Sequence, residues 1–123
     1  MLNRCIQLAR NNPNPKWRFA CIITDRHGSV IAQSFNSMVK SHPMQALLAC
    51  KHGNRHQIYL HAEIAALVRC RKDPYALYVA RVDARMHPAM ARPCPICMEA
   101  IRKAGIKIVY YTCALNEKGI ISV

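Results

Sequence analysis

Negative charge is what this chain has least of. Six acidic residues stand against 18 lysines and arginines in 123 residues, a formal net charge of +12. A surface so one-sided repels itself and draws in polyanions, among which phosphates are the commonest. It predicts a phosphate-bearing partner without separating a nucleotide from a polymer; the plainer alternative is a basic surface that only aids solubility. Long apolar runs are also missing. None approaches the roughly 18 to 20 residues needed to span a bilayer, and the opening Met1-Leu2-Asn3-Arg4-Cys5 lacks the apolar stretch of a secretory signal. A soluble, cytoplasmic protein without a membrane partner is expected. Repeats, low-complexity tracts and linkers are lacking too, and the length suits one domain over 1–123.

Cysteine, by contrast, is plentiful: seven residues, an odd number, in a chain 52% apolar. Apolar content this high needs no disulfide staples, so a reducing compartment is the better reading. Cys5, Cys21, Cys50, Cys70 and Cys113 are expected to be mostly buried thiols. Spacing sets Cys94 and Cys97 apart.

Leu2, Cys5, Ile6 and Ala9 lie on one face of a helix, which Asn11-Asn12-Pro13-Asn14-Pro15 ends. Trp17 to Thr24 and Ser29 to Phe35 read as an antiparallel hairpin around Asp25-Arg26-His27-Gly28. From Asn36 to Leu60 a long excursion is expected near an active-site mouth, with a short helix over 44–50. Helical spacing returns from His61 to about Lys72, then a strand over 75–82, a helix over 95–104 stopped by Gly105, and a strand over 106–112. The last three make a βαβ crossover with parallel strands. Too few residues follow for another parallel return, so a strand at Gly119 to Val123 has to fold back antiparallel.

Two short motifs each open a helix: His61-Ala62-Glu63 and Pro93-Cys94-Pro95-Ile96-Cys97. An imidazole and two thiolates suit tetrahedral zinc, and three protein ligands leave the fourth position to water. Cys94 and Cys97, three apart, put both sulfurs on one side of a helical turn, where the helix N-terminus favours thiolate. Glu63, one of three glutamates, stands where a carboxylate would take a proton from that water and pass it on. Separately each piece has an ordinary explanation: a thiol pair among seven cysteines, a structural histidine, an exposed helix carboxylate.

Together the motifs resemble the H-x-E…P-C-x-x-C signature of the cytidine deaminase-like superfamily, and the order of elements follows that family along nearly the whole chain. The resemblance implies an α/β fold, three layers α-β-α around a mixed five-stranded sheet. It implies Zn2+ on His61, Cys94 and Cys97, hydroxide on that zinc as nucleophile, and Glu63 as proton shuttle. The carbonyl of Ala62 and the N–H of Cys94 would contact the amino group and the reacting water. Asn36 would bind the sugar or base, unless it only caps a turn. Phe35 and His61 would pack against the base, unless Phe35 is core.

Within the superfamily the dCMP deaminases are most similar, through His-Ala-Glu and Gly105-Ile-Lys-Ile-Val-Tyr-Tyr111. The function then expected is hydrolytic deamination of cytosine in a nucleotide. Lys40, Lys51, Arg55, Arg85 and Arg92 are candidates for its 5′-phosphate. The stretch from Asp83 to Arg92 is longer than in many relatives. A rival is a base in single-stranded DNA or tRNA, which the +12 charge favours; tRNA adenosine deaminases typically carry a longer C-terminal helical extension than 123 residues allow. A third reading is a non-catalytic nucleic-acid-binding module whose zinc is structural, completed by His52, His56, His87 or Cys50. A homo-oligomer is compatible with each.

Overall fold

The computed structural model describes residues 1–53 and 59–123. Four helices and six strands follow one another as α1 (Leu2–Arg10), β1 (Arg18–Thr24), β2 (Val30–Phe35), α2 (Pro43–Lys51), α3 (Ala62–Arg69), β3 (Ala76–Val82), β4 (Pro88–Ala89), α4 (Pro95–Lys103), β5 (Ile108–Thr112) and β6 (Lys118–Ser122). The sheet runs β2-β1-β3-β5-β6, with β4 paired to β3. Among the described residues only β3 and β5 are parallel, joined through α4, and β6 returns antiparallel as its short connection requires. The two-residue β4 was not expected. It forms because Asp83 Oδ1 accepts from the backbone N–H groups of Arg85 and His87 at 2.9 and 3.0 Å, turning the chain back on β3.

Alternation along β1 and β3 divides the core. Ala20, Ile22, Ala80 and Val82 face α1, which buries Leu2, Cys5 and Ala9 against them. Cys21, Ile23, Leu77 and Val79 face the opposite way, toward Ala62 and Ala66 of α3 and Met98 and Ile101 of α4. These are the three layers. Burial pushes the Cys5 thiol up to about 12 and raises Cys21 as well, so both serve as small apolar groups. Cys50 differs from expectation: it is exposed on the outer side of α2, and Cys70 and Cys113 are only half-buried at element ends.

At the far edge, Gly119 of β6 pairs with Tyr111. A Cβ built on Gly119 would lie 1.9 Å from the tyrosine ring, which rests on the bare backbone. Among the described residues no helix is long and apolar enough to cross a membrane.

Candidate active site

Both motifs fall at helix starts that the fold presses together. Ile64 of α3 and Ile96, Cys97 and Ala100 of α4 share one buried cluster with Leu48 and Ala49 of α2. His61 and Cys94 are the residues just before α3 and α4, in extended backbone, and neither side chain caps its own helix. Pro95 occupies the first helical turn, where no N–H is lost. Buried Gln45 of α2 accepts from the His61 N–H at 3.2 Å, fixing the entry to α3.

The side chains released this way converge. His61 Nδ1 lies 3.2 Å from Cys97 Sγ and 3.6 Å from Cys94 Sγ, and all three donor atoms are within 4.8 Å of one another. Zinc bound tetrahedrally at about 2.0 Å from nitrogen and 2.3 Å from sulfur needs such donors about 3.5 to 3.8 Å apart. The donor set therefore fits zinc in both chemistry and spacing. Among the described residues this is the one cluster of three such groups.

Hydrogen bonds within the cluster set one thiolate against its neighbours: they favour the anion zinc requires at Cys94, and the proton that a metal would displace stays on Cys97 and His61. The Cys97 thiol and then His61 stabilise the Cys94 thiolate, holding its pKa down to about 4. The same bond to Cys94, together with burial, pushes Cys97 up. His61 is raised by its hydrogen bond to Cys94, against the opposing effect of burial. Glu63, in the first turn of α3 and only 5% exposed, is raised by burial, with His61 pulling the other way. A buried carboxyl beside a metal-ligand cluster is placed for proton transfer.

His61, Ala62, Glu63 and Cys94 floor a cavity of about 400 Å³. Trp17, Phe19, Asn36, Met38, Tyr59, Leu60 and Arg92 line the rest. Asn36 is held in one orientation. Its Oδ1 accepts from Asn12 Nδ2 at 2.9 Å, from the Phe19 N–H at 3.2 Å and from Asn14 Nδ2 at 3.4 Å. Among the described residues its Nδ2 has only the Met38 sulfur, at 3.8 Å. The amide thus keeps its oxygen for the protein and turns a donor to the cavity. Arg92 donates to the Tyr111 hydroxyl at 3.1 Å, with its guanidinium 5.7 Å from that ring.

Other expected residues lie elsewhere. Phe35 pairs with Ala20 and, by strand alternation, packs with it against the α1 cluster, not among the cavity-lining residues. Phe19 and Trp17 supply the aromatic wall instead. Lys51 and His52 pair with Glu99, and Lys40 borders a neighbouring hollow. Arg85 sits exposed on the turn before β4. Cys50, His52 and His87 do not join the donor cluster; Arg55 and His56 lie outside the described residues. Asn12 and Gln45 escaped the sequence reading. The Asn-Asn-Pro-Asn-Pro run reads as a helix stop, yet its amides are the polar supply that orients Asn36.

The same architecture occurs in solved structures. The dCMP deaminase of cyanophage S-TIM5 matches with a TM-score of 0.60 in its complex with dCMP and dUMP, at 21% identity over 89% of this chain and 76% of that one. Its apo form gives 0.58 and 20% identity over 89% and 77%. Acinetobacter baumannii RibD gives 0.51 at 23% identity, over 91% of this chain but 27% of the much longer RibD. These similarities establish the cytidine deaminase-like fold. No curated protein sequence matches significantly. The family model for the cytidine and deoxycytidylate deaminase zinc-binding region covers residues 1–113, both helix-opening motifs included. By sequence over most of its length, and by the metal-fitting cluster those motifs build, the chain belongs to that deaminase family.

Proposed function

We propose that the protein hydrolyses the exocyclic amino group of cytosine in a nucleotide such as dCMP, giving the uracil product and ammonia. The observation that carries this is Glu63, buried at the floor of the cavity beside three donors that fit zinc. His61, Cys94 and Cys97 would hold the metal, which when bound acidifies water and makes it a nucleophile at neutral pH. Glu63 takes one proton from the attacking water and delivers it to the ring nitrogen, then takes the hydroxyl proton of the tetrahedral adduct and gives it to the amine, which leaves as ammonia as the new carbonyl forms. Asn36 donates from its fixed amide to an acceptor on the base or sugar. Trp17 and Phe19 flank the ring, and Arg92 receives a phosphate at the rim. The phage dCMP deaminase solved with dCMP and dUMP supports a nucleotide of this class. That no fourth donor joins the cluster among the described residues favours a catalytic over a structural zinc.

The test is turnover of dCMP by zinc-loaded protein, followed by loss of cytosine absorbance, with dUMP identified by mass. Turnover that disappears in Glu63→Ala supports the reading. Folded, zinc-bound protein inert toward dCMP and other cytosine nucleotides overturns it.

A further inference from the structure

Beside the base cavity lies a second, smaller hollow of about 210 Å³. Lys16, Trp17, Arg18 and Arg81 border it, and Trp17 belongs to both spaces. Arg81 is clamped: its guanidinium carbon stands 4.8 Å from the Trp17 ring and 5.8 Å from the Phe19 ring. Its Nε is buried with no hydrogen-bond partner. Packing alone is a poor reason to keep an arginine there, since a buried unpaired N–H is costly and an apolar side chain would fill the space. Lys16 Nζ lies 5.7 Å from the same indole. Asp83 also borders the hollow, and its Oδ1 accepts from backbone N–H groups of its own turn, which hold its pKa low. Among the described residues Lys16, Arg18, Arg81 and Arg92 take part in no ion pair.

Two aromatic-anchored arginines therefore serve two adjoining spaces. Arg92 lines the base cavity and not the hollow; Arg81 lines the hollow and not the cavity. A nucleoside monophosphate has one phosphate to offer them, whereas a nucleotide inside a strand has one on each side. We propose that the hollow at Trp17 and Arg81 is a second phosphate subsite, so that the cavity takes a cytosine nucleotide within a single strand running past it more tightly than it takes the free nucleotide. Cations interleaved with exposed aromatics are the usual means of holding such a strand, and the +12 charge supplies its long-range attraction. This inference rests on the deaminase reading only for where the target base goes.

Trp17 is the sole tryptophan, so its fluorescence reports on the junction directly, whether or not deamination occurs. With zinc-loaded full-length protein, a single-stranded trinucleotide with central cytosine should quench Trp17 and bind about tenfold tighter than dCMP. Arg81→Lys keeps the charge but loses the planar fork, and should erase most of that advantage. Arg81→Ala should do the same if it folds, as checked by circular dichroism. Lys16→Ala with Arg18→Ala should lower the salt slope of strand binding by about 0.7 for each phosphate no longer neutralised. Arg102→Ala, on the outer side of α4, should leave the trinucleotide-to-dCMP ratio unchanged. Equal affinity for trinucleotide and dCMP overturns the proposal. So does dCDP binding as tightly as the trinucleotide, and so does an Arg102→Ala effect as large as that of Arg81→Lys. Trinucleotide quenching in protein inert toward dCMP, other cytosine nucleotides and the trinucleotide alike would sink the deaminase reading and leave the strand site standing.

Discussion

The floor and the rim of the cavity are built on different principles. The floor is made at the starts of two helices, by His61 and Glu63 at α3 and Cys94 at α4 with Cys97 buried beneath, locked by a shared apolar cluster. The rim is made by connections: the segment before β1, the one after β2, and the run between β4 and α4. At the floor a few residues at fixed helical spacing define the chemistry. At the rim each side chain is placed by partners far along the sequence, as when Asn12 holds Asn36 or Tyr111 holds Arg92. On the proposed function, chemistry is thus fixed locally, while the choice of ligand is distributed through the fold.

If that division is right, floor substitutions should abolish chemistry or metal binding and rim substitutions should alter substrate preference. Glu63→Gln should cost about 10²- to 10⁴-fold in kcat while zinc content, measured by atomic absorption, stays that of the wild type. Cys97→Ser should bring zinc well below one per chain and take activity with it, because an alkoxide is a far poorer ligand than a thiolate at neutral pH. Asn12→Ala removes one of the donors to Asn36 Oδ1 and should destabilise by about 1 to 3 kcal/mol in urea melts. Its kinetic signature should be a raised KM with zinc content intact, since Asn36 is then held less firmly. Loss of zinc in Asn12→Ala would break the floor-and-rim distinction.

The smallest effect concerns α2. Glu99 of α4 is held near a pKa of about 2, first by Lys51 and then by His52. A carboxylate depressed in the fold stabilises above its ordinary value of 4.5 and loses that stabilisation as pH falls toward 2. The pairing is solvent-exposed, so the gap in thermal midpoint between wild type and Glu99→Gln should be slight at pH 7 and close on acidification. A gap that widened in acid would reverse this reading.

The same contrast explains what could be read from the sequence. The convergence of His61, Cys94 and Cys97 was legible because its geometry is that of two helix starts. The parallel pairing of β3 with β5 and the antiparallel return of β6 followed from connection length. The rim was less legible. Phe35 is one residue from Asn36, but strand alternation sends it to the α1 face. Trp17 and Arg81 are 64 positions apart in sequence and meet only once β1 and β3 pair. Two amides inside a proline-rich helix stop carry no local sign that they serve Asn36. Such partnerships depend on tertiary structure and have no periodicity of their own.

Gly119 gives the outer edge of the sheet an unusual place in this scheme. Edge strands ordinarily accept substitution readily, and its neighbours Lys118 and Ile120 are exposed. Position 119 has no such latitude, since even a methyl group there collides with the Tyr111 ring, at a cost of about 1 to 3 kcal/mol or a shifted tyrosine. A shifted tyrosine releases Arg92. In a saturation library across β6, tolerance should therefore drop to glycine alone at one site, and any survivors there should be recovered with altered appetite for phosphate-bearing ligands.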